Sequence, residues 1–171
     1  IALLDDEKDQ REATAALLER YLSQHPELSA QVRPFQSGYE LLDAVERSGN
    51  FDLYLLDIVM PEQNGIEVGL SIRKLDGLGL IVYLTTSPDY AVDSYLTNAF
   101  HYLLKPVRWE QMASVLDRAM DILVRRQELG DMVRTKGAYR RVLHSELQYA
   151  ELCGVSRLSV IVRHVIPSAF P

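Results

Sequence analysis

An aspartate, Asp57, ends a short apolar run in the segment FDLYLLDIVMPEQNGIE, residues 51–67. The run is typical of a strand that is buried on both faces of a parallel sheet. Pro61 and Gly65 indicate a loop after it, and a helical pattern begins at Ile66. In open parallel sheets, ligands bind at the carboxyl ends of the strands. Asp57 is therefore a candidate for chemistry, because several polar residues separate it from the next helix and argue against a capping role.

Polar residues also end three other predicted strands. Asp5 and Asp6 follow the first strand, Thr85 follows the fourth and Lys105 follows the fifth. If the strands are parallel, these side chains meet Asp57 at one edge of the sheet. Three carboxylates at one edge repel each other, so either some are protonated or a divalent cation neutralises them. A hard cation with oxygen ligands is the natural solution, and Mg²⁺ suits a site that handles phosphate.

The chemistry that this set indicates is phosphoryl transfer. A carboxylate, Mg²⁺, a lysine and a hydroxyl recur in such sites, where positioning and charge neutralisation provide most of the catalysis. An aspartate nucleophile that attacks phosphorus forms an acyl phosphate. Each residue alone also has a structural interpretation: Asp5 and Asp6 as helix caps, Lys105 as a solvated lysine and Thr85 as an ordinary strand-end residue.

The elements that must position these residues alternate along the chain. Ser37 and Glu40 form an S-x-x-E capping box that opens the second helix. Five strands alternating with five helices predict an α/β fold, in which helices cover both faces of a parallel sheet. The predicted strands are 1–4, 31–35, about 53–57, 80–84 and 100–104, and the predicted helices are 8–21, 37–47, 66–75, 89–98 and 108–128.

The motifs at the strand ends together resemble the receiver domain of two-component response regulators. They are DDE after the first strand, LLDIVMP with Gly65 beyond the proline, LTTS, and YLLKP. The resemblance covers about residues 1–126 and implies a doubly wound, flavodoxin-like sheet of five parallel strands in the order 2-1-3-4-5. It implies a phosphoacceptor that assists its own phosphorylation and dephosphorylation, and not an enzyme in the ordinary sense.

Carried over to this sequence, the resemblance makes Asp57 the phosphoacceptor. Asp6 and Asp57 would bind Mg²⁺ directly, Asp5 would act through water, and the carbonyl of Val59 would complete the protein ligands. Thr85 would donate its hydroxyl hydrogen to a phosphoryl oxygen after phosphorylation. The resemblance implies these roles, and the spacing of the residues alone does not assign them.

The fifth strand contributes the remaining residues that the resemblance implies. Lys105 would pair with another phosphoryl oxygen, and Lys105-Pro106 resembles the family's cis peptide. Tyr102 matches the family's rotameric aromatic switch, although packing in the core is an equally good interpretation. The sequence departs from the family at Thr86, where alanine is commoner, and a β-branched hydroxyl there would slow access to Asp57.

The resemblance also implies partners and a mechanism of switching. A sensor histidine kinase would donate the phosphoryl group, and the face formed by the fourth helix, the fifth strand and the fifth helix would change its partner preference. The phosphorylated protein would form a homodimer and control transcription in the parent protein.

Two other functions fit parts of the same pattern. One is a Mg²⁺-dependent phosphohydrolase with an aspartate nucleophile, and the other is an interaction module whose pocket is unused. The hydrolase type places its nucleophile after the first strand, whereas Asp57 follows the third. The complete acidic set argues against an unused pocket.

The composition limits the class of protein to which the chain can belong. Of the 171 residues, 47% are hydrophobic and 25% are charged, which is ordinary for a globular protein with a core. The single cysteine excludes an intramolecular disulfide and fits a reducing cytoplasm. No apolar run approaches the roughly 20 residues that cross a bilayer, so we expect no membrane partner. The chain starts within a predicted strand and without methionine, so we expect native residues to precede it.

The tail differs from the rest of the chain in charge and pattern. Residues 1–128 carry 12 Lys and Arg against 21 Asp and Glu, whereas residues 129–171 carry 6 against 3. Residues 132–134 and 140–143 predict a β-hairpin, and residues 145–151 resemble the opening of a LytTR-type DNA-binding domain. We therefore expect a receiver domain over 1–126, followed by a linker and an incomplete, β-rich LytTR-like segment over 127–171. Three surplus positive charges do not establish DNA binding by this chain.

Overall fold

The computed structural model describes residues 1–91, 96–130, 132–135 and 138–141. A parallel sheet of five strands lies at the centre, in the order β2-β1-β3-β4-β5. This confirms the fold class and the strand order that the resemblance implies. The strands are β1 (Ala2–Leu4), β2 (Arg33–Phe35), β3 (Leu53–Asp57), β4 (Leu80–Thr85) and β5 (His101–Leu104).

The described residues contain four α-helices, and short stretches of 3₁₀ conformation lie between β4 and β5. The helix predicted over 89–98 is wrong where it is described, because Pro88–Ala91 forms a 3₁₀ turn and Asn98 adopts a left-handed backbone with φ of 48°. Leu96, in the described part of this segment, is exposed. The α-helices are α1 (Lys8–Gln24), α2 (Gly38–Ser48), α3 (Gly65–Leu75) and α4 (Trp109–Gly130).

The central strands are apolar throughout because both faces are covered. Every residue of β3 and β4 is buried, and each of these strands is paired on both sides. The register places Asp57 opposite Leu84, so the carboxyl ends of β3 and β4 lie side by side. One layer of the core consists of large side chains from these strands and from α2 and α3, among them Tyr54, Leu56, Tyr83, Leu41, Val45, Val68 and Ile72.

The capping box of α2 forms with a shifted partner. The Ser37 hydroxyl oxygen accepts from the Glu40 amide at 3.2 Å, as the motif predicts. The Glu40 carboxylate accepts from the amide of Gln36 at 3.2 Å, one residue earlier than in the standard box. Asn64 caps α3 in a similar way, accepting from the amide of Ile66 at 2.8 Å. The capping residues of both helices therefore lie in loops that follow the carboxyl ends of strands.

A buried polar network holds the opposite end of the sheet. Asp76, which follows α3, accepts from the Tyr54 hydroxyl at 3.0 Å and from the amides of Leu78 and Gly79 at 2.9 and 3.1 Å. Arg73 donates to the carbonyls of Gly79 and Thr97, both at 2.6 Å. The loop after α3 and the segment before β5 are thus tied to the C-terminal end of α3.

The predicted hairpin of the tail is confirmed. Met132–Thr135 (β6) pairs with Ala138–Arg141 (β7) in an antiparallel ladder. The LytTR-like segment over 145–151 lies outside the described residues. The chain divides into two units at residues 119 and 120, and α4 runs through that boundary. Within the described part of the chain, none of the helices combines the length and the apolar character that crossing a membrane requires.

The contact between Gly69 and Tyr83 yields a first prediction. A Cβ atom at Gly69 would lie 2.0 Å from the Tyr83 hydroxyl, which itself donates to the Thr97 hydroxyl at 3.1 Å in the buried interior. Gly69→Ala should therefore lower the free energy of unfolding by about 1–3 kcal/mol, because the core is overpacked. Urea denaturation measures the change.

Gly77→Ala is the matched control. Among the described residues, nothing lies within 4 Å of a Cβ atom at Gly77, so its substitution should change stability by no more than about 1 kcal/mol. Equal effects of the two substitutions would contradict the close packing of Gly69 against Tyr83.

Candidate functional site

The carboxyl ends of the parallel strands bring the predicted residues together at one edge. Asp5 follows β1 and is fully buried, Asp57 ends β3 with 4% of its surface exposed, and Thr85 ends β4 and is fully buried. Lys105 follows β5, and its amide donates to the Thr85 carbonyl at 2.8 Å, which continues the pairing of β5 with β4. The topology therefore produces the juxtaposition that the sequence predicts.

Three carboxylates converge at this edge. Asp5, Asp6 and Asp57 each offer an oxygen, and these atoms all lie within 4.8 Å of one another. One oxygen of Asp6, Oδ1, is buried and has no hydrogen-bond partner among the described residues. A buried acceptor without a donor is costly unless a cation or water satisfies it. The donor set therefore fits a hard divalent cation such as Mg²⁺, which favours carboxylate oxygens.

Lys105 is the counter-ion of two of the carboxylates. Its ammonium nitrogen, Nζ, lies 2.8 Å from Asp5 Oδ2 and 2.9 Å from Asp57 Oδ2, and its side chain is only 6% exposed. Its peptide bond to Pro106 is cis. Lys105 thus contacts Asp5 and Asp57 directly and links the ends of β1 and β3.

The electrostatic balance differs between Asp57 and Lys105. Burial raises the pKa of the Asp57 carboxyl above its ordinary value, while the bond from Lys105 acts in the opposite direction. Burial lowers the pKa of Lys105, but its bonds to Asp5 and Asp57 outweigh that effect and the pKa is raised. Lys105 is therefore firmly charged, whereas the charge on Asp57 is only partly compensated.

The loop after β4 connects Thr85 to Tyr102. The Thr85 hydroxyl oxygen accepts from the Ser87 amide at 3.3 Å. The Tyr102 hydroxyl, on β5, donates to the Ser87 carbonyl in a short hydrogen bond. Ser87 also donates from its hydroxyl to Asp89 Oδ2 at 2.8 Å. Tyr102 is half-buried, and it joins β5 to the first residues of the loop that Thr85 begins.

The loop after β3 passes closely over Asp57. A Cβ atom at Gly65 would lie 1.9 Å from the Asp57 carbonyl oxygen, so only glycine permits this approach. The Gly65 amide donates to the Ile58 carbonyl at 3.0 Å, and the Val59 amide approaches Asp57 Oδ1 at 3.4 Å. Val59 is half exposed, and its amide is the main-chain group next to Asp57 Oδ1.

Sequence reasoning missed Arg11. Its guanidinium nitrogen Nη1 donates to the carbonyl of Asp5 at 2.6 Å and to that of Asp6 at 3.3 Å. The sequence did contain a signal, namely a cation near the start of a helix. The positive end of the helix dipole favours acidic residues there, and Arg11 lies just inside the start of α1. A cation in that place needs a local partner, and the acidic loop before α1 provides one.

The fold and the acidic strand ends place the chain among the doubly wound α/β proteins of flavodoxin type. The sequence model of the response regulator receiver domain matches residues 1–117. The chain therefore belongs to the response regulator receiver domain family. A protein of Vibrio cholerae described as an uncharacterized response regulatory protein is 30% identical over 166 residues, which cover 90% of this chain and 66% of that protein.

A second curated relative and a solved structure are also similar to this chain. The positive alginate biosynthesis regulatory protein of Pseudomonas aeruginosa is 28% identical over 119 residues, 70% of this chain and 46% of that protein. The crystal structure of a CheY-like receiver domain protein from Methanospirillum hungatei superposes with a TM-score of 0.63 at 23% identity, covering 73% of this chain and 95% of that one. The chain thus spans about half to two thirds of these curated relatives and nearly all of the solved receiver domain.

The raised pKa of Asp57 predicts the effect of neutralising it. The folded protein binds a proton here more readily than the unfolded chain, so charged Asp57 lowers stability, and this cost appears as the pH rises through the raised pKa. In EDTA at neutral pH, Asp57→Asn should therefore unfold at a higher urea concentration than the wild type. The difference should vanish in acid, below the pKa of the unfolded carboxyl.

Asp76→Asn is the control for this prediction. Asp76 is equally buried, but both of its oxygens accept hydrogen bonds from the Tyr54 hydroxyl and two amides. Its substitution should lower the free energy of unfolding by about 1–3 kcal/mol, because a buried bond is broken. A destabilised Asp57→Asn protein in EDTA would be inconsistent with the charge imbalance at the strand ends.

Proposed function

We propose that Asp57 accepts a phosphoryl group from a sensor histidine kinase in the presence of Mg²⁺. The observation that carries the proposal is the cluster of Asp5, Asp6 and Asp57 at the carboxyl edge, in which the ammonium of Lys105 contacts Asp5 and Asp57. Such a cluster holds unbalanced negative charge and an unsatisfied acceptor on Asp6, which suits a divalent cation. Bound Mg²⁺ would neutralise phosphoryl oxygens in the transition state.

The proposed reaction transfers one phosphoryl group. A carboxylate oxygen of Asp57 attacks phosphorus, and the bond from phosphorus to the nitrogen of the donor histidine breaks, with the electron pair leaving on that nitrogen. Burial keeps the Asp57 carboxylate poorly solvated. The hydrogen bond from the Val59 amide to Asp57 Oδ1 is long, at 3.4 Å, so this oxygen is held only weakly. Asp6 and Asp57 have oxygens to offer a metal directly, with the Val59 carbonyl as a third ligand. Asp5, which Lys105 and the Glu7 amide already engage, suits a water-mediated role.

Lys105 and Thr85 would form new contacts with the phosphoryl group on Asp57. The ammonium of Lys105 already contacts Asp57 Oδ2, and it can move to a phosphoryl oxygen while keeping its bond to Asp5. The hydroxyl of Thr85 is buried next to the end of β3 and would donate to another phosphoryl oxygen. This exchange would alter the bond from Ser87 to Thr85, and through Ser87 the contact to Tyr102.

The output face would lie along β5 and α4. β5 is an edge strand, and its residues Tyr102 and Leu104 border a groove that Gln111 of α4 also lines. Leu104 is 46% exposed, which is unusual for a large apolar side chain on a sheet edge. A change at Tyr102 would therefore alter a surface that can pair two phosphorylated receivers as a homodimer.

The parent protein would act on transcription. The Pseudomonas relative is named a positive regulator of alginate biosynthesis, and an Enterococcus faecalis relative is named the sensory transduction protein LytT. We propose a receiver domain over residues 1–126 and a LytTR-like output segment from residue 127, which would contact DNA in the full-length protein. The histidine kinase partner and the single cysteine are consistent with a cytoplasmic location.

Phosphorylation on Asp57 is directly measurable. With a small phosphodonor and Mg²⁺, intact-protein mass spectrometry should show one added phosphoryl group, and Asp57→Asn should show none. Beryllofluoride with Mg²⁺ should likewise form one stable complex, visible by fluorine NMR. Asp89→Asn is the control, because this carboxylate is exposed and lies outside the acidic cluster; it should retain the adduct.

Other outcomes would point to other functions. Continuous release of phosphate with many turnovers would identify a phosphohydrolase. An adduct that survives in Asp57→Asn, or no adduct in the wild type, would exclude Asp57 as the phosphoacceptor.

Tyr102 provides a separate prediction about the output. Tyr102→Phe removes the donor to the Ser87 carbonyl but leaves the acidic cluster unchanged. The adduct should form at the wild-type level, whereas self-association in beryllofluoride should weaken by about 5- to 10-fold, because one neutral hydrogen bond is worth about 1 kcal/mol. Sedimentation velocity measures this self-association. Tyr39→Phe is the control, because Tyr39 is an exposed tyrosine. Unchanged association of Tyr102→Phe would remove Tyr102 from the switch.

A further inference from the structure

Arg11 connects helix α1 to the main chain of the acidic loop. Its Nη1 donates to the carbonyl of Asp5 at 2.6 Å and to the carbonyl of Asp6 at 3.3 Å, and its side chain is half-buried. Arg11 is anchored on α1, where its amide donates to the Glu7 carbonyl at 2.9 Å. One guanidinium therefore reaches the two consecutive peptide units that carry two of the three clustered carboxylates.

Other hydrogen bonds among the described residues also restrain this loop, and most of them involve Asp5. The Asp5 amide donates to the Phe35 carbonyl at 3.2 Å, its Oδ1 accepts from the Glu7 amide at 3.0 Å, and its Oδ2 accepts from Lys105 at 2.8 Å. Asp6 has a buried oxygen that the described residues leave unsatisfied. Glu7, the N-cap residue of α1, makes no capping bond with its side chain. Arg11 thus holds the Asp5 carbonyl at 2.6 Å, and it shares with the bond from the Glu7 amide to Asp5 Oδ1 the restraint of the peptide unit that carries the Asp6 carbonyl.

We infer that Arg11 is a positioning residue for the magnesium ligands, and this inference rests on the proposed function. By holding both carbonyls, it fixes the direction in which the side chains of Asp5 and Asp6 leave the main chain. Residues that orient metal ligands from outside the coordination shell commonly account for a roughly 10- to 100-fold change in metal affinity. Arg11 would act from α1, through the main chain of the loop that carries the two ligands.

The charge of Arg11 works against this effect. A cation near the cluster repels Mg²⁺, so removing it should by charge alone strengthen metal binding slightly. Substitution of Lys8 measures this effect of charge on Mg²⁺ binding. Lys8 lies on the same first turn of α1, is exposed, and pairs with Glu12 at 3.7 Å. If positioning outweighs repulsion, loss of Arg11 must weaken Mg²⁺ binding while loss of Lys8 must not.

Isothermal titration of the full chain with MgCl₂ tests the inference. Arg11→Met keeps the length and apolar character of the side chain but removes its donors, and it should weaken Mg²⁺ binding by about tenfold. Arg11→Lys should recover part of the affinity, because one ammonium can still bond a carbonyl but cannot reproduce the rigid fork. Lys8→Met should bind Mg²⁺ as tightly as the wild type or slightly more tightly.

A second measurement separates positioning from a general loss of structure. With a small phosphodonor at saturating Mg²⁺, Arg11→Met should reach the wild-type level of phosphorylation on Asp57, and it should fall short only at low Mg²⁺. A variant that is merely misfolded would fall short at both concentrations. If Arg11→Met does not fold, judged by circular dichroism, Arg11→Lys decides, and a reduced affinity with a normal spectrum supports the inference.

Two outcomes overturn the inference and differ in their meaning. Equal Mg²⁺ affinity of Arg11→Met and the wild type would remove Arg11 alone and leave the proposed function in place. No Mg²⁺ binding by the wild type would overturn the proposed function and the inference with it.

Discussion

The molecule depends on an incomplete charge balance at the carboxyl edge of its sheet. Three carboxylates meet there, and the described residues bring one ammonium into direct contact with them. Moving ions out of water costs several kcal/mol each, and a buried pair recovers that cost only when its geometry is good and its remaining oxygens are bonded. Lys105 satisfies Asp5 well and Asp57 in part, while Oδ1 of Asp6 has no hydrogen-bond partner in the described part of the chain. The site is thus stable enough to fold, and it retains an affinity for positive charge.

Asp76 shows what a purely structural aspartate looks like in the same protein. It is as buried as Asp57, but its oxygens accept three hydrogen bonds of 2.9–3.1 Å, whereas Asp57 Oδ1 accepts a long one of 3.4 Å, and Asp76 lies outside the acidic cluster. Its bonds close the loop between α3 and β4 at the far end of the sheet. The two ends of the sheet therefore differ: at one end the buried carboxylate is saturated with hydrogen bonds, and at the other Asp6 has a buried oxygen without a partner among the described residues.

Much of this could be predicted from the sequence. Apolar runs and the polar residues that end them identified the strands and the residues at their carboxyl ends, because parallel strands share that edge and are buried on both faces. The helix over 89–98 was mispredicted because propensity gave no information on Asn98 or on the exposure of Leu96. Arg11 was missed for a different reason. A cation near the start of a helix indicates a local partner, but the partners here are main-chain carbonyls, which the sequence alone does not identify.

The strand order came from family resemblance, because periodicity alone does not determine how parallel strands are arranged. The identity of Asp57 as the central residue followed from its own strand, but its direct ion pair with Lys105 did not. That contact joins residues from β3 and the end of β5, with β4 between them. Contacts of this kind depend on side-chain conformations in the folded sheet, which single-sequence patterns do not encode.

The close packing of Gly69 against Tyr83 limits how this domain can diverge. The tyrosine hydroxyl occupies the space that a methyl group at position 69 would need, and it is bonded to Thr97 in the interior. A lineage that acquires a larger residue on this turn of α3 must therefore shorten the side chain at position 83, and then lose or replace the polar partner at position 97. The residues at positions 69, 83 and 97 should therefore change together in descendants of the sequence, because they connect a helix, a strand and a loop.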